Sequence, residues 1–212
     1  MKPALKIDFV SDVACPWCAV GLSALERALD KVQADIDVEL HFQPFELNPQ
    51  MAREGEDANE HLRRKYGRSP EQLAQARAAI HERGAAVGFR FGERPRVYNT
   101  FDAHRLLHWA ELEGRQHALK AALLKAYHGD ARDPSDHAVL LDVAAEVGLD
   151  TPRAAQILAS DEFAAEVRAA EKHWLDLGIH SVPSVVINGR HLIQGGQPPE
   201  VFEQALREIA AA

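Results

Sequence analysis

From Leu5 to Val10 the chain reads LKIDFV, a run of β-branched and aromatic residues that predicts a short strand. The loop Ser11-Asp12-Val13-Ala14 follows. At Cys15 the pattern changes: Val20, Leu25, Leu29 and Val32 fall at helical spacing, and Pro16 suits a first turn where no N–H is needed. Asp37 to Phe45 (DVELHFQPF) alternates polar and apolar residues, predicting a second strand that ends near Pro44. Strand, helix and strand within about 40 residues is the length of a βαβ unit.

The middle has another character. Asn48-Pro49 opens a polar stretch, and most of Asp57 to Gly178 then predicts helices, over 59–66, 70–87, 99–113, 116–128, 135–147, 152–159 and 162–177. Ser69-Pro70-Glu71 and Asp150-Thr151-Pro152 are N-terminal signatures, and Gly148 and Gly178 stand at helix ends. Phe89 to Tyr98 reads as loop. Strand signals return at Ser184 to Asn188 (SVVIN); Asn188-Gly189 is a hairpin turn, and Arg190 to Gln194 is the returning strand. Pro198 to Ala211 closes the chain with Val201, Phe202, Leu206 and Ile209 on one helical face. The β-α-β and β-β-α ends are expected to share one sheet. That makes a discontinuous domain, 1–45 with 178–212, and an inserted helical domain, 46–177, with no strand pairing inside the helical block.

Composition narrows the class. Hydrophobic residues are 46% and charged residues 26% of the 212, which excludes disordered, collagenous and low-complexity chains. A chain of this length buries roughly 70% of its unfolded surface without staples. The net charge of −8 disfavours nucleic acid, whose phosphates need a basic face. No apolar run approaches the roughly 18 residues of a membrane span, so no membrane partner is expected. The first ten residues carry neither an uninterrupted apolar stretch nor a cleavage site, which points to the cytoplasm. Oligomeric state is left open.

The two cysteines, Cys15 and Cys18, lie three apart between a predicted strand and a predicted helix. A helix N-terminus offers free N–H groups and the positive end of the dipole, which favours a thiolate at Cys15. Cys18 would stand one turn below, close enough for a disulfide. Cys15 is then the attacking thiol and Cys18 the resolving thiol, with Pro16 and Trp17 between them shaping the exposed turn. The competing reading is a zinc site, for which four ligands, or three in a catalytic site, would have to include histidines. His104 and His108, four apart on a predicted helix, could line a cleft facing the cysteines or be ordinary polar groups on a partly buried helix. Val182-Pro183 precedes the strand SVVIN, where a proline is tolerated at the first position. It is a candidate cis bond that would turn the Val182 backbone toward the cysteines, against the alternative of an ordinary trans proline.

The strings DFVSDVACPWC, NTFDAHRLLHWA and VPSVVINGRHLIQGGQ together resemble the DsbA-like thioredoxin-fold oxidoreductases, in particular the FrnE-like branch, over nearly the whole chain. The resemblance implies an α/β thioredoxin-like fold with a large inserted all-helical domain. It implies Cys15 as nucleophile, Cys18 as resolving cysteine, and Pro183 as the cis-proline preceded by Val182. Pro16, Trp17, Val182 and Pro183 would form the substrate-binding surface. Relatives often carry a buried acid on the strand leading to the cysteines; Asp8 is its counterpart here, a proton-transfer candidate unless it is a half-exposed strand carboxylate. The chain departs from the family pattern at Ser184 and at Gly195-Gly196-Gln197, which bears on substrate choice.

The expected activity is thiol–disulfide exchange with a disulfide- or dithiol-containing protein or a small thiol. No metal and no cofactor beyond the redox-active disulfide is called for, with glutathione or another thiol as reductant. The alternative is a glutathione-dependent isomerase or transferase of the 2-hydroxychromene-2-carboxylate isomerase and kappa-class type, a branch that typically has Ser where Cys15 stands and lacks the second cysteine.

Overall fold

The structure is a computed structural model and describes residues 2–212. β1 (Ala4–Ser11), α1 (Pro16–Val32) and β2 (Asp37–Pro44) form the βαβ unit, and β5 (Ser184–Ile187), β6 (His191–Gln194) and α9 (Pro199–Ala210) the ββα unit. They share one four-stranded sheet in the order β2-β1-β5-β6. β1 runs parallel to β2, with Ile7 opposite Leu40, and antiparallel to β5, with Phe9 opposite Val185. A central strand is covered on both faces, and β1 divides its side chains accordingly. Leu5, Ile7 and Phe9 pack with α1, with Phe202 and Leu206 of α9, and with both cysteines. Val10 points the other way, into a smaller cluster with Phe45, Trp174 and Ile179.

Between β2 and β5 the chain is mostly helical: α2 (Ala58–Tyr66), α3 (Pro70–Val87), α4 (Phe101–Leu112), α5 (Gln116–Leu124), α6 (His137–Glu146), α7 (Thr151–Leu158) and α8 (Ala164–Asp176). Local signals account for the boundaries. Ser69 and Gln72 close a capping box on α3, and Asp57, Asp136 and Asp150 accept backbone N–H groups at the starts of α2, α6 and α7. This block has its own apolar core around Leu106, Trp109, Leu123, Tyr127 and Leu140.

Two expectations need correction. The helical block does contain a strand pair: β3 (Glu56–Asp57) meets β4 (Arg96–Val97) antiparallel, within the stretch 89–98 read as loop. Two residues per strand are too few for any periodicity to register. The pair is held by Arg96, which donates to the Glu54 and Gly55 carbonyls. The helix expected over 116–128 stops at Leu124 and widens into a π-turn, Lys125–Gly129. Such single-turn widenings re-aim side chains and cluster at functional sites, and here the turn carries Tyr127 and His128.

Candidate active site

Cys15 is the N-cap residue of α1, in extended backbone conformation at φ −90° and ψ 113°, with Pro16 in the first turn. Its thiol therefore stands where the helix presents free N–H groups. Cys18 lies one turn down, its N–H bonded to the Cys15 carbonyl at 3.1 Å, and both residues are buried free thiols. The Val182–Pro183 bond is cis. Cys15 Sγ lies 3.5 Å from the Val182 carbonyl oxygen, so residues 167 apart in sequence meet at the reactive sulfur. A methyl group on Gly21 would come within 3.0 Å of Pro183 Cγ, and one on Gly196 within 3.2 Å of the Trp17 carbonyl. These two glycines let the first turns of α1 lie against the Pro183 loop and the end of the β6 hairpin. Trp17, half-buried, packs against the same core.

The loop before Cys15 is gripped by its backbone. Asp12, fully buried, accepts from its own neighbour Ala14 N at 3.0 Å, from Leu47 N at 2.7 Å and from Thr100 Oγ1 at 2.7 Å. Its Oδ1 also stands 3.4 Å from His104 Nε2. Burial alone would push this carboxyl up, but His104 and the two backbone N–H groups hold it below the ordinary carboxylate range. The next two carbonyls are taken from outside the thioredoxin half: His128 Nε2 donates to Val13 O at 2.8 Å and Arg94 Nη1 to Ala14 O at 3.0 Å. Burial, with the nearby Arg94 charge, drives His128 well below the usual histidine range, so it is a neutral ring with its proton on Nε2.

Burial pushes the Cys18 thiol well up, and the neighbouring Cys15 adds to this; the positive charge of Lys120 acts in the opposite direction. Lys120, on α5, is fully buried and is itself pushed down by burial. The exposed Tyr66 phenol is raised by desolvation, with a smaller contribution from the charge of Cys15. A second charge cluster joins the exposed Arg168 to two largely buried carboxylates: it pairs with Glu46 and, at 2.8 Å, with Glu171, while its guanidinium stands 3.7 Å from the Phe101 ring. Burial raises both carboxyls.

Of the residues singled out in the sequence, Cys15, Pro16, Trp17, Cys18, Val182 and Pro183 converge. His104 lies behind the Cys15 loop and binds Asp12, whereas His108 packs at a tilt against Phe163 with ring centroids 5.1 Å apart. Asp8 does not join the cysteines. Strand alternation turns it to the face opposite Ile7 and Phe9, where it accepts from Gln43 at 2.8 Å and pairs with Lys6 at 3.4 Å. The buried carboxylate behind the cysteines is Asp12, four residues later. Sequence reasoning missed Asp12, Arg94, His128 and Lys120. No sequence signal marks them: Lys120 shares a helical stripe with Leu124 but also with the polar Gln116, which gives no sign that the stripe faces inward.

Residues 6–207 match the family model of the DSBA-like thioredoxin domain, and the chain belongs to that family. It is 35% identical, with a TM-score of 0.88, to a probable DsbA oxidoreductase from Streptomyces coelicolor, over 96% of this chain and 89% of the other. It is 27% identical over 206 residues to the uncharacterized protein YwbO of Bacillus subtilis, covering 95% of this chain and 96% of that one. It shares its fold with the cytosolic disulfide reductase DsbM of Pseudomonas aeruginosa, solved with GSH, at 21% identity and a TM-score of 0.67 over 98% and 100% of the two chains. The protein is thus a DsbA-like thioredoxin-fold oxidoreductase.

Proposed function

We propose that the chain exchanges disulfides with protein or small-thiol substrates through Cys15 and Cys18, in the cytoplasm. The observation that carries this reading is the placement of Cys15 at the N-cap of α1, facing the Val182 carbonyl, with Cys18 sealed one turn below.

Cys15 as thiolate attacks one sulfur of a substrate disulfide. That S–S bond breaks, one substrate sulfur leaves with the electron pair and takes a proton, and a mixed disulfide joins Cys15 to the other. Cys18, once deprotonated, attacks Cys15 Sγ and releases the second substrate thiolate. The pair Cys15–Cys18 has then given up two electrons and the substrate has gained them; the reverse sequence oxidises a substrate dithiol. Because Cys18 is already in place, it outruns external thiols that must arrive by diffusion. Glutathione, the ligand in the Pseudomonas reductase structure, is the proposed external thiol that restores the pair. Extended substrate backbone would pair beside Val182 and Pro183, with Trp17 and Pro16 around it.

The isomerase or transferase alternative uses no resolving thiol, and the sealed position of Cys18 beside Cys15 counts against it. Two variants decide the matter. C15S is expected to abolish exchange. C18S is expected to accumulate covalent substrate complexes on a non-reducing gel, because the mixed disulfide loses its internal exit. Full activity in both variants would overturn the proposal.

A further inference from the structure

α2 and α3 form a hairpin that meets the thioredoxin half through two cations, on loops at either side of the reactive edge. At the end of α2, Lys65 Nζ donates to the Leu47 carbonyl at 2.6 Å and to Asn48 Oδ1 at 2.7 Å. Leu47 gives its own N–H to Asp12, in the loop that carries Cys15, and its side chain packs against the core that holds both cysteines. Late in α3, Arg83 Nη2 donates to the Gly196 carbonyl at 2.9 Å. Gly196 lies against Trp17, and the Gly195 N–H bonds the Pro183 carbonyl at 2.8 Å. Val182 packs in the same two apolar clusters as Leu47. The Val182–Pro183 loop therefore lies between the two anchors, and α3 runs along the active-site edge from one to the other. Gly195-Gly196-Gln197, where the chain departs from the family pattern, forms the far anchor.

The charges at these anchors are not neutralised. Both cations bond neutral oxygens, and among the described residues no carboxylate lies at ion-pair distance from Lys65, Arg68 or Arg83. In a chain of net charge −8, the stretch Arg63-Arg64-Lys65-Tyr66-Gly67-Arg68 holds four bases and no acid. Arg64 is paired with Glu56. Lys65 and Arg68 stand 5.7 and 5.8 Å from the ring of the exposed Tyr66. Between the anchors α3 carries Ala76 and Ile80, half-buried and outside the apolar core clusters. Arg83 follows Ile80 by three residues and shares its face. The acids of α3 are elsewhere: Glu82 falls on the side of the helix opposite Ile80, and Glu71 is bonded to the Ser69 hydroxyl at 2.7 Å. From Pro70 to Arg83 the helix rises roughly 20 Å.

We propose that the α2–α3 hairpin is the substrate-recognition arm of the protein, and that its substrate is an extended polypeptide with acidic residues on both sides of the reacting cysteine. The inference rests on the disulfide-exchange reading above and names the substrate class that reading leaves open. The substrate backbone pairs beside Val182 and Pro183. An apolar side chain meets Ile80, and carboxylates reach Arg83 at one end and Lys65 with Arg68 at the other. The span selects a polypeptide over a small anionic thiol. Roughly 20 Å is the length of about six extended residues, whereas a tripeptide such as glutathione reaches one anchor only. Lys65 and Arg83 each keep N–H donors after their backbone contacts. Cations of one sign beside a reactive site also raise the encounter rate with an anionic partner.

The test uses the reduced full chain and fluorescent peptides long enough to reach both anchors. Each carries a central cysteine joined by a disulfide to a neutral quencher thiol, and its flanking residues are Glu, Ser or Lys. Disulfide opening is followed by dequenching as salt is raised. The Glu peptide is expected to react roughly tenfold faster than the Ser peptide at low salt, and the Lys peptide more slowly, with the rates converging at high salt. Lys65 is left in place, because its bond to Leu47 also supports the Cys15 loop. Arg68→Glu and Arg83→Glu are each expected to erase most of the lead of the Glu peptide, and the double variant to transfer that lead to the Lys peptide. A purely structural role for the arginines would lower all the rates together, which overturns the inference. So would equal rates for the peptides on the wild-type chain, with exchange itself intact. Glutathione disulfide is expected to respond to one of the two single variants; equal losses in both would remove the span argument and overturn the choice of a polypeptide. If the wild-type chain opens none of the peptides, the exchange reading fails. Binding then decides the arm: fluorescence anisotropy of the Glu and Lys peptides with Ser in place of Cys is expected to show a salt-sensitive preference for Glu, and equal binding overturns the inference.

Discussion

α1 is packed from two sides, and the two sides are built on different principles. Against α9 the buried part of the contact is apolar, Leu25 and Ala28 with Phe202 and Leu206, and polar contacts, the Lys31–Glu203 ion pair and the Arg207 bond to the Lys31 carbonyl, lie only at its rim. Toward the helical block, Val87 and Leu124 add apolar contacts, and a buried polar group, Asp12, Thr100, His104, Lys120 and His128, lies behind the loop that carries Cys15. Apolar packing scales with area and has no direction. A buried polar group is worth its burial only with its partner in place. The α9 side therefore holds the molecule together, and the helical block aims the cysteines.

The contrast can be broken most strongly at Phe202. Phe202→Ala is expected to cost about 3–5 kcal/mol of stability in chemical denaturation, with exchange rates per folded molecule unchanged. A large fall in exchange by the molecules that remain folded would show that the apolar side also aims the site. Asp12→Asn should invert the outcome. Its stability cost is expected to be smaller, about 1–3 kcal/mol. Exchange should fall by roughly tenfold to a hundredfold, because misplacing a reacting group by a fraction of an ångström has effects of that size. A variant with full exchange would assign Asp12 to stability alone.

The smallest effect sharpens the polar side. His128 is neutral in the native state and titrates well below the usual histidine value, whereas in the unfolded chain it titrates near 6.5. Its folded pKa is lowered, so the native state is favoured above about 6.5 and loses that advantage as pH falls toward the folded value. The expected slope is about 1 kcal/mol per pH unit below 6.5. His128→Gln keeps a donor for Val13 O without a titrating ring and should flatten that slope in thermal melts at pH 7.5 and 5.5. An unchanged slope would mean that other groups carry the acid sensitivity.

Much of the fold was legible because it is written in local terms. The strand–CPWC–helix order, the Asn188-Gly189 hairpin and the Ser69 capping box each need only neighbours in sequence. The cysteine pair was legible for the same reason. Asp12 was not, since an aspartate in a loop carries no mark of the three donors that reach it from residues 14, 47 and 100. Asp8 drew attention by lying on the strand, yet alternation sends it to the wrong face. Lys120 reads as a surface residue in an Ala- and Leu-rich helix until that helix is docked. Long-range polar convergence leaves no periodicity behind, so it is found only in the folded chain.

His128 and Arg94 hold the approach to Cys15 by its carbonyl oxygens at positions 13 and 14, leaving the side chains there out of the grip. Every residue type offers the same carbonyl. Changes of side chain that fit the surrounding space can therefore accumulate at positions 13 and 14 without loosening the hold on the thiol. The two positions between the cysteines are free of that hold as well. A laboratory screen that randomises Pro16 and Trp17 would thus vary redox behaviour on a fixed mount, with Gly21 and Gly196 as the nearby positions where added bulk meets Pro183 and Trp17.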